Sequence, residues 1–218
     1  MNVFSNIISG MNAGVSVNED AISTIGQNSG NNGGNNINDC NYCVEIYSSA
    51  SNIQVKHNTL TPRSGCYGIL TYGSPSIEYN LIDGGSIAIF ALSQAPGTII
   101  KNEIKNFTEG VYLGYSTTPP TSGNQYSYNN FTSNNWNTWN CAKDAGNNPI
   151  TVSCPNNWWG ICPTSDIPIR MYGPVSYVPF SDIPVVRTGP YGAGTGGSGC
   201  PPPSDIVAYW SFNGNTSD

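Results

Sequence analysis

The chain has 218 residues with a formal charge of −6, and only seven of them are Lys or Arg. Seven cations are too few for the basic patch with which a nucleic-acid-binding protein displaces counterions from phosphates. Charged residues make up 9% of the chain, and its polar positions are filled by Asn, Ser, Thr, Gly and Tyr, which favour strands and turns over helices. We therefore expect an all-β protein with no nucleic-acid partner.

The cellular location is predicted from the cysteines and the glycosylation sequons. Residues 1–6 lack the basic start and apolar core of a signal peptide, and no apolar run reaches the length of a transmembrane segment. Seven cysteines and Asn-x-Ser/Thr sequons at Asn106, Asn130 and Asn215 are typical of an oxidising compartment. We expect a fragment of a secreted or cell-surface protein.

An asparagine followed two residues later by an apolar side chain recurs along the chain. Three successive copies are 22 residues apart (58→80→102), the next two spacings are 27, and the preceding ones are 23 and 29. The seven asparagines are Asn6, Asn35, Asn58, Asn80, Asn102, Asn129 and Asn156.

Apolar residues keep fixed distances from these asparagines. The position two after is apolar in all seven copies and the position three before in five of them, as Val3, Val55, Ile77, Ile99 and Tyr126. Positions nine and eleven after form pairs with the period of a strand that buries one face. The pairs are Val15 and Val17, Val44 and Ile46, Tyr67 and Ile69, Ile89 and Ala91, Val111 and Leu113. Each repeat supplies about three short strands that must stack on their neighbours to be buried. This predicts a parallel β-helix of about seven coils.

The recurring asparagines are predicted to form one column at a bend of the coil. Successive coils rise by about 4.8 Å, so equivalent side chains stack. Asparagine tolerates the left-handed backbone conformation of a sharp bend, and its amide can hydrogen-bond along the stack. We interpret the seven asparagines as a structural ladder, not as a catalytic set.

Departures from the repeat predict the loops and the domain boundaries. Gly/Asn-rich residues 26–35 and residues 116–123 and 145–149 are expected to be loops. Prolines and tryptophans from about residue 156 predict a cap that completes a solenoid of residues 1–186. Residues 187–204 are a Gly/Pro-rich linker, and 205–218 form the truncated first strand of a second domain.

Three parts of the sequence resemble known families. The Asn-x-Ile/Leu coils with Gly110-Val111-Tyr112-Leu113 resemble the right-handed parallel β-helix of the pectate-lyase-like superfamily over about residues 1–160. Asn157-Trp158-Trp159-Gly160 with Val175 to Pro179 is similar to the ending of periplasmic copper-site accessory proteins and secreted β-helix proteins. Residues 207–215 resemble the opening strand of laminin-G-like, concanavalin-type jelly rolls. The resemblance implies a multidomain protein with a sugar-binding or adhesive module, but a fold does not give an activity.

The candidate binding residues are those ten places after the ladder asparagines, which are expected to point outward. They are Ser16, Glu45, Gly68, Phe90 and Tyr112. The rings of Phe90 and Tyr112 could stack on a sugar while Glu45 bonds its hydroxyls, so these three are the predicted carbohydrate-binding residues, with a polysaccharide or surface glycan as partner. The alternative is that the aromatic residues only stabilise the sheet.

Catalytic residues are not assigned. Glycoside hydrolysis needs two carboxylates about 5 to 10 Å apart, and lyase chemistry needs a base, usually with calcium ligands. Glu45 has no carboxylate at the matching position of neighbouring coils, and Asp83 and Glu109 fall at other offsets.

Two alternatives stay open: a lyase, epimerase or hydrolase of the superfamily, and a structural spacer. No cofactor is predicted, although calcium is left open, and Lys56 with Glu78 is expected to form a surface ion pair.

The cysteines predict disulfides. Cys43 and Cys66 each follow a ladder asparagine by eight residues, which would place their Cα atoms about 5 Å apart and within disulfide range. A zinc site made by these two with Cys40 and His57 is the weaker interpretation, and no metal site is assigned. One further bridge is expected among Cys141, Cys154 and Cys162, while Cys200 has no evident partner.

Overall fold

Three rows of short parallel strands wind into a solenoid in the computed structural model, which describes residues 2–18, 24–26, 34–47, 52–92, 97–114, 125–144, 146–161 and 164–185. The predicted linker and second domain, the loop 116–123, most of the loop 26–35, Cys162 and Cys200 lie outside these residues. The strands are β1 Asn2–Val3, β2 Ile7–Ser9, β3 Ala13–Val17, β4 Thr24–Gly26, β5 Asn36–Asn38, β6 Tyr42–Ile46, β7 Gln54–Lys56, β8 Thr59–Thr61, β9 Tyr67–Thr71, β10 Ser76–Glu78, β11 Leu81–Ala91, β12 Thr98–Ile100, β13 Glu103–Leu113, β14 Gln125–Ser127, β15 Asn130–Thr132, β16 Trp136–Asn140, β17 Val152–Ser153, β18 Met171–Tyr172 and β19 Val175–Ser176.

The first sheet contains the strands that precede each ladder asparagine. Its order is β1-β4-β7-β10-β12-β14, and all of its pairs are parallel. Because each strand comes from one turn, the described chain makes about six turns, one fewer than predicted. The all-β parallel solenoid itself is confirmed.

The second sheet bends into two rows. Strands β2, β5, β8 and β15 form the row directly after the ladder, and β3, β6, β9, β16 and β18 form the next row. The long strands β11 and β13 run through both rows. Each regular turn therefore supplies three strand segments, as the repeat predicted.

The interior is a column of apolar side chains contributed by every turn. Ile37, Leu60, Ile82 and Ile104, two residues after their asparagines, are fully buried, and Val55 and Ile77, three before, are buried as well. A turn with one apolar stripe per strand removes that stripe from water only against the turns above and below. Stacking is thus the source of the fold's stability.

The ladder asparagines hydrogen-bond with the same geometry at successive steps. Asn58 donates from its side-chain Nδ2 and from its backbone N–H to Oδ1 of Asn80, both at 3.0 Å. Its Nδ2 also donates to the Ile25 carbonyl of the preceding turn at 2.9 Å. Each such bond contributes about 1 kcal/mol net. The side-chain bonds link Asn6, Asn35, Asn58, Asn80, Asn102, Asn129 and Asn157.

Two details of the predicted ladder are wrong. The left-handed φ lies one residue before the asparagine, with values of 58° at His57, 56° at Tyr79 and 59° at Asn156, so asparagine is used for its amide and not for its backbone. The final member is Asn157, because Asn156 occupies the bend position before it. The core tryptophan is accordingly Trp159, which is 2% exposed, and not Trp158.

One turn carries a register shift that the sequence spacing hides. The residue four places after the ladder asparagine has a left-handed φ in most turns, where it is Gly10, Asp39, Gly84, Asn106 or Ser133. After Asn58 this place is held by Pro62, whose ring fixes φ near −65°. A longer bend with Gly65 at φ 77° follows instead.

This longer bend moves the next strand two residues along. Val44 pairs with Ile69, and not with Tyr67 as the equal offsets predicted. The turn keeps its length of 22 because the following connection is shorter by the same amount, with residues 72–75 between β9 and β10 against 92–97 between β11 and β12.

The C-terminal part of the described chain covers the last turn. A 3-10 helix, Thr164–Arg170, leads into β18, which extends the second sheet, and β19 pairs with β17. Trp159 stacks on Phe131 with ring centroids 4.8 Å apart. Asn130 holds the segment's end by bonding the backbone N–H and C=O of Val185 at 2.7 and 3.0 Å.

Candidate functional site

The outer face of the third strand row presents two columns of outward side chains. In β3, β6, β9 and β16 the first and fourth residues belong to these columns and the two residues between them line the inner corner; in the long strands β11 and β13 the equivalent residues are the seventh and tenth. Register pairs give the first column as Ala13, Tyr42, Tyr67, Ile87, Glu109 and Trp136, and the second as Ser16, Glu45, Leu70, Phe90, Tyr112, Trp139 and Tyr172.

Aromatic rings from these columns contact one another across consecutive turns. Ring centroids are 5.5 Å apart for Tyr42 with Tyr67 and for Tyr67 with Phe90, and 4.9 Å apart for Phe90 with Tyr112. Tyr112 is the register partner of Trp139. We call this row the aromatic strip, and it comprises Tyr42, Tyr67, Phe90, Tyr112, Trp136, Trp139 and Tyr172. Five turn spacings of about 4.8 Å give it a length of roughly 24 Å.

Ring orientation changes along the aromatic strip. Tyr42 and Tyr67 are stacked with an interplanar angle of 12°, and stacked rings cover each other's faces. The stack is broken further along, where Phe90 and Tyr112 meet at 77°. Trp136 stands at 84° to Trp139 and at 85° to Tyr172. The rings that depart from face-to-face stacking are therefore concentrated around Tyr112 and Trp136.

Glu45 lies on the same face but is largely enclosed, with 6% of its surface exposed. It accepts a hydrogen bond from the Tyr47 hydroxyl at 2.5 Å, and this bond, with some desolvation, raises the pKa of Tyr47 to about 12. Tyr47 stacks on Tyr72 with ring centroids 5.5 Å apart. The carboxyl of Glu45 is thus partly used in holding its neighbours.

Glu109 is the second carboxyl of this face and is bonded differently. It sits in the first outward column between Ile87 and Trp136, and its charge acts on the nearby Tyr112 hydroxyl. Its Oε2 atom is buried without a hydrogen-bond partner among the described residues. Burial raises the pKa of this carboxyl. A desolvated carboxyl with a raised pKa among aromatic rings is typical of functional sites.

Two basic side chains adjoin this face without belonging to its columns. Arg63 Nη1 donates to Oδ1 of Asn41, the residue before Tyr42, at 3.2 Å, and Arg170 Nη1 donates to the carbonyl of Asn135, the residue before Trp136, at 2.9 Å. None of the outward positions in the two described columns is Lys or Arg. Lys56 contacts Glu78 on the first sheet at 3.2 Å, which confirms the predicted ion pair. Lys105 bridges Asp83 at 3.4 Å and Glu103 at 3.8 Å on the neighbouring strand row. The described aromatic strip therefore carries carboxyl groups without a compensating cation in its columns.

The structure places Glu45, Phe90 and Tyr112 in one outward column, as predicted. In the turn between Glu45 and Phe90, the predicted outward residue Gly68 does not belong to this column. Gly68 is buried at the inner corner, where an added Cβ would lie 2.5 Å from the Ala88 carbonyl oxygen. Leu70 takes the outward place because of the two-residue shift.

The remaining members of the site were not identified from the sequence. Trp139 follows Asn129 by ten residues, so extending the same offset by one turn would have found it. Trp136 and Glu109 each follow their asparagine by seven residues, which is the offset of Tyr42. The column that contains Tyr42, Glu109 and Trp136 can be recognised only when the bend between the two strand rows is known.

The predicted disulfides are not formed by the described cysteines. The two-residue shift places Cys66 beside Asn41, whose Oδ1 lies 3.4 Å from its Sγ, while Cys43 points into the core. Cys141 and Cys154 are also free thiols.

The described part of the chain holds no cluster of metal ligands, and the two carboxyls of the aromatic face are not spaced as a hydrolytic pair. No three His, Cys, Asp or Glu side chains there converge as metal ligands, and His57 stacks on Tyr79 with ring centroids 5.0 Å apart. Glu45 and Glu109 are three turns apart, roughly 14 Å along the solenoid, which exceeds the 5 to 10 Å of glycoside hydrolysis.

The comparisons with known proteins identify no relative. No family model, no curated protein and no solved structure matches the chain. Within the described residues, no helix has the length and apolar character needed to span a membrane.

Proposed function

We propose that this protein binds a polysaccharide or surface glycan along the aromatic strip and does not act on it chemically. The observation that carries the proposal is the continuity of the strip, because aromatic side chains from Tyr42 to Tyr172 follow one another through consecutive turns. A linear polymer laid along the solenoid axis would meet a new ring at each turn.

Aromatic rings and carboxyl oxygens together match the chemistry of a sugar. The C–H face of a pyranose packs on a ring, and its hydroxyls donate to acceptors at the edge of the contact. Glu109 supplies an acceptor beside Tyr112 and Trp136. A row of aromatic residues that served only to stabilise the sheet would not require a desolvated carboxyl among them.

Two wider features of the proposal come from the sequence alone. We place the protein in a multidomain, secreted or cell-surface context, with its solenoid related to the pectate-lyase-like superfamily and followed by a laminin-G-like module. The exposed sequon residue Asn106 supports this location, whereas the buried Asn130 and the free cysteines give it no support. Cell fractionation followed by immunoblotting tests the location.

Binding is tested on a glycan array with the wild type and the double variant Phe90→Ala/Tyr112→Ala. We expect the double variant to lose at least about tenfold in affinity, because two stacking contacts of about 1 kcal/mol each are removed with their buried area. Tyr128→Ala is the matched control, since Tyr128 is 45% exposed but lies at the bend outside the strip.

The alternatives predict different results. Binding that is equal in the wild type and the double variant would place the ligand elsewhere. An absence of binding by any protein would favour the spacer. Cleavage or epimerisation of a bound polymer, detected by chromatography of the products, would favour the enzyme.

A further inference from the structure

We infer that the aromatic strip selects uncharged sugars over uronates and other anionic sugars, and that Glu109, Tyr112 and Trp136 form the subsite at which this choice is made. The inference rests on the proposed function, since it assigns specificity to the same face. It is carried by ring orientation, by the Glu109 oxygen that has no partner among the residues the structure describes, and by the distribution of charge.

The relative orientations of the rings identify where on the aromatic strip a sugar can stack. Stacked rings such as Tyr42 and Tyr67 cover each other's faces, so they present mainly their edges to a ligand. Tyr112 and Trp136 lie where this stacking is broken, with interplanar angles of 77° to Phe90 and 84° to Trp139. A pyranose needs an exposed ring face, so this break is the best place for it on the strip.

Glu109 provides the polar contact at this place. It is the register partner of Trp136 and belongs to the same turn as Tyr112. Its Oε2 is buried without a hydrogen-bond partner among the described residues, which is unfavourable, and a hydroxyl or amide N–H of a ligand would supply the missing donor. The last torsion of a glutamate side chain is broad, so a rotation of the carboxyl can turn either oxygen toward the ligand.

The charges determine which sugars are excluded. Glu45 and Glu109 are the carboxyls of the described columns, and no Lys or Arg occupies an outward position there. The guanidinium of Arg170, which adjoins this end of the strip, donates to the Asn135 carbonyl at 2.9 Å. An anionic sugar beside Glu109 would meet like charge in a partly desolvated setting, where the repulsion is stronger than in water. Specificity then arises from a repulsive element as well as from attractive contacts.

The test measures affinity on a glycan array that contains pairs differing only in charge, such as a uronate oligosaccharide and its methyl ester. The proteins are the wild type, Glu109→Gln and the control Glu78→Gln, whose carboxylate lies on the first sheet. We expect the wild type to prefer the uncharged member by about tenfold. Glu109→Gln should bring this ratio close to one, and Glu78→Gln should leave it unchanged.

The outcomes separate this inference from the proposed function. If Phe90→Ala/Tyr112→Ala abolishes binding but Glu109→Gln leaves the charge preference of the wild type intact, the aromatic strip binds sugar and the inference is overturned. Equal or tighter wild-type binding of the uronate member also overturns it. If no glycan binds to any variant, both proposals fall together.

Discussion

Asn156 and Asn157 are adjacent in the sequence and have different structural roles at the same bend. Asn156 takes a left-handed φ of 59°, and Asn157 accepts hydrogen bonds from the Asn129 backbone N–H at 2.8 Å and from its Nδ2 at 3.0 Å. The amide of Asn157 also donates to the Tyr126 carbonyl at 2.7 Å. The ladder thus depends on one member of this pair for hydrogen bonding and on the other for backbone geometry.

We predict that Asn157→Ala lowers the free energy of unfolding by about 3 kcal/mol, because buried donors of Asn129 and the Tyr126 carbonyl lose their partner. Asn156→Gly should change it by less than about 0.5 kcal/mol, since glycine adopts positive φ without strain. Urea denaturation of both variants measures the difference. Equal losses would show that Asn157 is not the essential ladder residue.

A second prediction concerns the pH dependence of stability at Glu109. Burial raises the pKa of this carboxyl in the folded state, so its ionisation at neutral pH favours the unfolded chain. Glu109→Gln removes that cost and should be more stable than the wild type at pH 7 by less than about 1 kcal/mol, given the partial exposure of the side chain. The gain should disappear below about pH 4, where the carboxyl is protonated in both states.

At Glu78 the same substitution by Gln should change the stability at pH 7 in the opposite direction. Burial tends to raise its pKa, but hydrogen bonds from Ser76 and Thr98 and the charge of Lys56 outweigh burial, so the pKa is lowered. Its carboxylate therefore adds stability above the unfolded pKa, which is lost as pH falls through the folded pKa. Glu78→Gln should be less stable than the wild type at pH 7, and the two should converge only as the pH falls through the lowered folded pKa of Glu78, beneath the unfolded value of about 4.3. Urea midpoints measured at several pH values give the stability of both variants as a function of pH. A Glu109→Gln protein that is less stable than the wild type at pH 7 would contradict the raised pKa of Glu109.

A third prediction tests the register shift after Asn58. Gly68→Ala should cost about 1 to 3 kcal/mol by overpacking the inner corner against the Ala88 carbonyl. Ser16→Ala, at an exposed outward position, should be within about 0.5 kcal/mol of the wild type. Thermal and urea unfolding compare the two. A neutral Gly68→Ala would instead favour the unshifted register, in which residue 68 points outward.

A fourth prediction concerns the thiols. Burial raises the pKa of the Cys43 thiol and raises that of Cys154 to about 12, so neither should react with a thiol reagent until the protein unfolds. The partly exposed Cys66 and Cys141 should react in the native state. Peptide mapping by mass spectrometry after labelling identifies each residue.

The same samples test for the predicted bridge. A reductant should release no thiols from Cys43 and Cys66, because these two described cysteines form no crosslink that could contribute the usual 2 to 4 kcal/mol or so. Recovery of a peptide that links these two cysteines under non-reducing conditions would overturn this part of the structure.

The sequence by itself determined the fold class, the ladder asparagines from Asn6 to Asn129, and the common column of Glu45, Phe90 and Tyr112. It could do so because every turn of a stacked solenoid has the same local requirements. The ladder asparagine and the apolar positions around it therefore recur in each repeat of the sequence. Local rules of this kind survive changes of loop length, because each is counted from its own asparagine.

Only the tertiary structure decided the details that depend on the path of the chain between two fixed points. Pro62 cannot adopt the left-handed bend, so two residues are inserted there and removed again before β10, and the repeat length conceals both changes. That shift separated Cys43 from Cys66 and exchanged Gly68 for Leu70. The bend between two strand rows likewise created a second outward column, which brings Glu109 and Trp136 beside Tyr112.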